Sequence, residues 1–218
     1  MIIAPNEDDT FVEKLLDKMN VKYSAEKVPI YIEEGAKKLN CFVNVQEKVK
    51  KEGGAIHYGW AIYMSDIICE AERHSVWETP NGDFIDITPK DFKLNEILFV
   101  SDNLDFDYKG QLVDNIRINI TNNPIVDDFI VLCEAIEKLY SFGERINDDE
   151  ITIPESIANI IDKYKDLKNH IELFLKNDGK QKSKCFCGGL KSYKNCHGLD
   201  FIKNVKLSVK QLSKTLNK

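Results

Sequence analysis

No stretch of the 218 residues is apolar for long enough to span a membrane, so neither a membrane protein nor a membrane partner is expected. Residues 1–9 have neither the basic start nor the apolar run of a secretory leader, and no signal peptide is expected. No internal repeat or long low-complexity segment interrupts the chain. Cysteines are few: Cys41, Cys69 and Cys133 stand alone, which suits a reducing, cytoplasmic compartment rather than a disulfide framework. What remains is 43% hydrophobic with a net charge of −6, enough for one medium domain with a sizeable core and a small appendage. The charge is uneven. Residues 180–218 hold ten Lys and one Asp, a formal +9 that leaves −15 on the rest. Such a tail either meets nucleic acid or another acidic surface, or folds back on its own acidic domain.

The other three cysteines crowd into that tail. Cys185-Phe186-Cys187-Gly188-Gly189 is followed by Tyr193-Lys194-Asn195-Cys196-His197-Gly198. Four ligands, Cys185, Cys187, Cys196 and His197, fall in a segment too short to build a core. Three thiolates and one neutral imidazole suit tetrahedral zinc, and four protein ligands close the site. Gly188 and Gly189 give the backbone freedom to turn both sulfurs to one centre. Two disulfides in a secreted mini-domain are the alternative pairing, and the missing leader argues against it. Zinc binding is worth about 10–16 kcal/mol in small peptides, enough to fold such a segment alone.

These residues resemble the SEC-C motif, the zinc module at the C-terminus of the bacterial preprotein-translocase ATPase, whose pattern is Cys-Pro-Cys-Gly-Ser-Gly-x-Lys-Tyr-Lys-x-Cys-His-Gly. The chain keeps both ligand pairs with Gly188, Tyr193, Lys194 and Gly198, and departs at Phe186, Gly189, Leu190 and Ser192. The resemblance covers residues 183–199. It implies docking on a chaperone, the ribosome or another macromolecule rather than catalysis.

Periodicity orders the rest of the chain. Helices are expected over 8–19, 32–39 and 41–51, the last with Asn40 as N-cap and Gly53-Gly54 as its stop. Strands are expected over 55–63, 67–78, 83–88 and 96–100. A helix over 125–141 ends at Gly143, and a second begins at Pro154. Residues 177–184 read as a polar linker, and 147–150 as a solvated acidic loop. Asp200 leads a last helix with Ile202, Val205, Val209, Leu212 and Leu216 on one face. Lys203, Lys206, Lys210 and Lys214 lie on the next, a candidate nucleic-acid surface. Helix, strands, then helices predict an α+β class. The expected domains are 1–178, with a helical part at 125–178, and 179–218.

A second constellation joins Cys41, His74 and Asp86. Cys41 opens the helix over 41–51, where exposed N–H groups and the dipole favour a thiolate. A thiol nucleophile needs a base, and the base needs an orienting carboxylate. Whether His74 and Asp86 meet depends on the turn between their strands. A two-residue turn at Asn81-Gly82 would pair Pro80 with Asp83 and send the two side chains to opposite faces. Pro80 has no N–H to donate, so that register fails. Pro80 and Asn81 instead fit the centre of a type I turn with Gly82 in the left-handed bulge position. Val76 then faces Asp86, and His74 and Asp86 become diagonal neighbours on one face. The opposite face collects Ala71, Trp77, Ile85 and Ile87. For the oxyanion, the Cys41 N–H is the first candidate donor and Asn44 and Gln46 weaker ones. His57 and His170 read as isolated, and Cys69, Cys133 and the tryptophans as packing.

Residues 38–90 resemble the transglutaminase-like branch of the papain-like cysteine hydrolases. That family places Cys at a helix start, then His on a strand, then Asp on the next. The matches are Cys41, His74 and Asp86, the last within Asp86-Ile87-Thr88-Pro89. The resemblance implies an antiparallel papain-like sheet with helices and thiol chemistry on an amide: peptide cleavage, deamidation or acyl transfer. It also implies Cys41 as nucleophile, His74 as general base and Asp86 as orienter. The rival reading is a non-catalytic adaptor that binds ribosome, chaperone or nucleic acid through the zinc module and basic tail.

Overall fold

The turn at residues 79–82 takes the form that Pro80 selects. The computed structural model describes residues 1–21, 23–102, 106–147 and 150–216. Gly82 N donates to Thr79 O and Thr79 N donates to Asp83 O, both at 2.9 Å. Gly82 has φ +89°, which its missing Cβ permits at no steric cost. Trp77 consequently pairs with Ile85 and Glu78 with Phe84, the register that puts His74 and Asp86 on one face.

The chain forms two units, Met1–Ile120 and Thr121–Lys218. The split falls well before the 178/179 boundary suggested by linker composition, and the helical part over 125–178 groups with the cysteine-rich tail. The first unit runs α1 (Thr10–Met19), β1 (Ala25–Pro29), α2 (Cys41–Glu52), β2 (Ala55–Met64), β3 (Ile68–Glu78), β4 (Phe84–Ile85), β5 (Glu96–Ser101) and β6 (Ile116–Asn119). The sheet is antiparallel in the order β1-β5-β2-β3-β4, with β6 also on β3. Strand alternation sorts its side chains. Trp60, Ile62, Met64 and Ala71 pack with Val12 and Leu15 of α1 on one face. Ala61, Tyr63, Val76, Ile97 and Phe99 form a second core on the other. Of the opposite-face set expected with Ala71, Trp77 is only half-buried, and its Nε1 donates to Gly53 O at the end of α2.

Residues 32–39 are not helical. Tyr31 N donates to Asp86 O at 2.9 Å and Glu33 N to Ile87 O at 3.1 Å, so this backbone runs beside 86–87. Asp86 N donates in turn to Pro29 O at 2.9 Å, which curls the path from β1 to β4 back on itself. Gly35 at φ +83° and Leu39 at φ +62° then interrupt any helical run. The apolar spacing over 32–39 loses to a strand partner brought from far along the chain. Asn40 stands at the N-cap of α2 without a side-chain capping bond, and Gly53 ends the helix at φ +78°.

The second unit holds α3 (Ile125–Tyr140), a hairpin of β7 (Glu144–Asn147) and β8 (Glu150–Thr152), α4 (Glu155–Lys176), a short 3₁₀ turn at Tyr193–Asn195 and α5 (Phe201–Leu216). Ile136 and Leu139 of α3 meet Ile157 and Ile161 of α4 in its core, with Leu212 of α5 against them. Pro154 precedes α4 with extended ψ rather than sitting inside its first turn. Asp148 and Asp149 of the acidic loop, and the side chains of Ile202 and Leu216, lie outside the described residues. Among the described residues no helix is long and apolar enough to cross a membrane.

Candidate functional site

The tail segment gathers its four ligands. One ligand atom each from Cys185, Cys187, Cys196 and His197 lie within 4.8 Å of one another. Cys187 and Cys196 sulfurs are 3.7 Å apart, and His197 Nδ1 is 3.2 Å from Cys185 Sγ and 3.6 Å from Cys196 Sγ. A disulfide would need about 2.05 Å. A tetrahedron with metal–sulfur bonds of about 2.3 Å has edges of roughly 3.8 Å, so the donor set fits a metal ion. Gly188 at φ +80° makes the knuckle. The Gly189 N–H on the Cys187 sulfur, with the neighbouring thiols, holds that thiol below its ordinary pKa and favours the thiolate a metal needs.

Aromatic rings seat the knuckle on α4. Phe186 lies 5.8 Å from both His170 and Phe174 and 4.6 Å from His197, centroid to centroid. His170, which read as isolated, is thus a stacking partner.

In the first unit His74 and Asp86 meet. Nε2 of His74 is 3.1 Å from Asp86 Oδ1, with exposures of 2% and 0%. Thr88 N donates to the same oxygen at 3.0 Å, and Lys90 Nζ lies 2.8 Å from Oδ2. Burial works against a charged imidazole, but the Asp86 carboxylate, then the Cys41 side chain, outweigh it and raise the His74 pKa to about 10. Burial likewise opposes the Asp86 charge, and His74 and Lys90 overcome it, holding the carboxyl well below its ordinary range. His74 Nδ1 is buried without a hydrogen-bond partner. Cys41, at the first residue of α2, lines one cavity with His74, Tyr63, Glu72 and Thr88. That cavity is narrow, ≈ 80 Å³, and the ion pair of Lys38 with Asp91 joins two of its lining loops.

Asn44 is a staple. Its Nδ2 donates to Lys37 O at 2.8 Å and to Thr88 Oγ1 at 3.1 Å, and its Oδ1 accepts from Lys37 N at 2.9 Å. Those bonds occupy the amide and tie the start of α2 to the strand carrying Asp86, so Asn44 offers no oxyanion donor. Gln46 engages the Tyr58 hydroxyl. Cys69 and Cys133 are buried, and burial pushes the Cys69 thiol up to about 12. His57 is not isolated: Nε2 is 2.9 Å from Ser101 Oγ and Nδ1 is 3.3 Å from Glu78 Oε2. The register explains it, since Ser101 faces Gly59 and Glu78 lies diagonal to His57.

Set against known proteins, the chain matches no family model, no curated protein and no solved structure. The fold and site define a mixed α+β protein with antiparallel sheets and a Cys3His group placed to bind a metal ion.

Proposed function

We propose that the first unit is a cysteine hydrolase or acyltransferase acting on amides, of the transglutaminase-like branch of the papain-like fold, and that residues 183–199 are a SEC-C-type zinc module that brings it to a protein or ribonucleoprotein partner. His74 carries the catalytic reading. One ring nitrogen is spent on Asp86, the other is buried and unpartnered, and the ring shares a cavity with Cys41. Three thiolates and an imidazole at tetrahedral spacing support zinc as the metal. Six cysteines without a disulfide support a reducing, cytoplasmic setting.

In this reaction the Cys41 thiolate attacks the amide carbonyl carbon, and the Cys41 N–H, at the open start of α2, receives the oxyanion. With its pKa near 10, His74 carries a proton at neutral pH, so its first act is as an acid. Nδ1 delivers that proton to the departing amine as the C–N bond breaks. Water or an acceptor amine then attacks the thioester, returns a proton to His74 and releases the thiolate. Asp86 keeps the imidazole oriented throughout.

Alkylation tests it. Iodoacetamide near neutral pH is expected to modify Cys41 much faster than Cys69 or Cys133, and His74→Ala is expected to slow it. Equal rates at all three favour the second reading, an adaptor without catalysis. The small cavity and the Lys38–Asp91 pair between its loops favour that reading. It predicts that deleting 180–218 abolishes partner capture while Cys41→Ala leaves capture intact.

A further inference from the structure

We propose that the groove between α3 and α5 is a docking site for an acidic amphipathic helix of a partner protein. The proposal rests on neither the metal cluster nor the cysteine site.

The groove has a volume of ≈ 640 Å³ and two kinds of wall. Its floor is apolar: Val131 and Ala135 from α3 and Val205 and Val209 from α5, with Ala135 and Val205 6% and 4% exposed. Its rim is basic: exposed Lys138 from α3, and exposed Lys206, Lys210 and Lys214 from α5. Glu134 is the one acidic residue lining it. The pattern follows from helix geometry. Val205 and Val209 are four apart on one stripe, and the three lysines repeat the same spacing one residue on. Among the described residues no carboxylate pairs with Lys206, Lys210 or Lys214. The basic tail is therefore not neutralised by the acidic remainder of its own chain at these positions.

Charge by itself would suit nucleic acid equally well. The floor decides between the two. A phosphate backbone has no apolar surface to place on valines, and burying valine against phosphate would leave the phosphate poorly solvated. A helix with leucine along one stripe and carboxylates beside it satisfies both walls at once. Lys206 to Lys214 spans about 12 Å at 1.5 Å per residue, a little over two turns. That length matches the i, i+3/i+4, i+7 anchors by which a helix is read in a groove.

The test uses the full-length, metal-replete chain and a fluorescein-labelled peptide about 18 residues long, with leucine at helix-face spacing and glutamate elsewhere. A peptide of the same composition in scrambled order and an oligothymidine of about 20 nucleotides serve as comparisons at one salt concentration. The ordered peptide is expected to bind with micromolar Kd, at least about tenfold tighter than the scrambled one. Val209→Asp and, separately, Lys206→Glu with Lys210→Glu are each expected to weaken it about tenfold or more. The lysines are exposed, so their replacement leaves the fold intact and keeps the test meaningful if Val209→Asp unfolds α5. The absence of saturable binding, equal binding of the scrambled peptide, tighter binding of the oligonucleotide, or indifference to both variants overturns the proposal.

Discussion

Tyr193 reaches out of the metal-binding segment and donates its hydroxyl to Asp128 Oδ2 of α3 at 2.8 Å. The tyrosine is 1% exposed, and burial raises the Asp128 pKa against the bond that Tyr193 supplies. The metal knuckle is therefore tied into the helical unit by a buried polar contact as well as by the rings around Phe186.

Tyr193→Phe keeps the ring packing and deletes only that bond. Hydrogen bonds to charged groups contribute about 1.5–3 kcal/mol, and the variant leaves the Asp128 carboxyl without this donor. Urea unfolding of the metal-loaded protein is expected to show a loss in that range. Metal stoichiometry should stay unchanged, because no ligand is touched. A variant as stable as the wild type would mean that the bond adds nothing.

Metal removal should act locally. Small metal-bound segments fold with their ion, so chelation is expected to unprotect amides at 183–199 in hydrogen exchange while β2 and β3 keep theirs. Cobalt(II) in place of the native ion should give the absorption of a tetrahedral thiolate site, and Cys187→Ser should change that spectrum. An octahedral spectrum, or unchanged exchange on chelation, would contradict a closed Cys3His centre.

The His74–Asp86 pair makes stability depend on pH in a defined direction. An unfolded histidine titrates near ~6.5, and His74 in the fold at about 10. Its contribution is complete below pH ~6.5, falls as pH rises, and is gone above the folded value. Asp86 behaves oppositely: its lowered pKa gives a contribution present above the ordinary carboxylate value near ~3.9 and lost as pH falls through the folded one. Urea midpoints for wild type and His74→Gln should differ most at mildly acidic pH and converge near pH ~10. Removing one partner of a buried ion pair costs about 3–5 kcal/mol, so Asp86→Ala should be the more severe variant at neutral pH. A wild-type/variant gap that is flat from pH ~6 to ~10 would show that His74 is not charged in the fold.

The sequence disclosed whatever local chemistry decides. Cys185, Cys187, Cys196 and His197 announce themselves because no other use suits three thiols and an imidazole so closely spaced. The β3–β4 register was legible because one residue, Pro80, excludes the competing turn. What was hidden depends on partners distant in the chain. Residues 32–39 carry helical spacing, and only the strand at 86–87 makes them extended. The β7–β8 hairpin is short and has few apolar residues, so period-two patterning had little to register. Phe186 looked like a departure from a zinc motif, and its ring turns out to be the part that packs on α4. Asn44 was read as a donor to a reaction intermediate because amides near helix starts often are, and the pattern held no sign of Lys37 and Thr88 closing on it.

That staple yields the sharpest contrast between positions. Asn44→Ala removes three hydrogen bonds of a 6%-exposed side chain and leaves buried groups of Lys37 and Thr88 unsatisfied. At about 1 kcal/mol for each ordinary bond, a loss of about 2–3 kcal/mol is expected in urea unfolding. Gln46→Ala, two residues away, touches only the Tyr58 hydroxyl and should cost well under half as much. The pair also tests the cysteine site. Asn44 acts on Cys41 only through the position of the α2 start, so Asn44→Ala should lower the alkylation rate of Cys41 without shifting the pH at which the rate rises. His74→Ala should change that pH profile as well. If Asn44→Ala slows nothing while still destabilising the fold, the staple holds the loop and the thiol's placement does not depend on it.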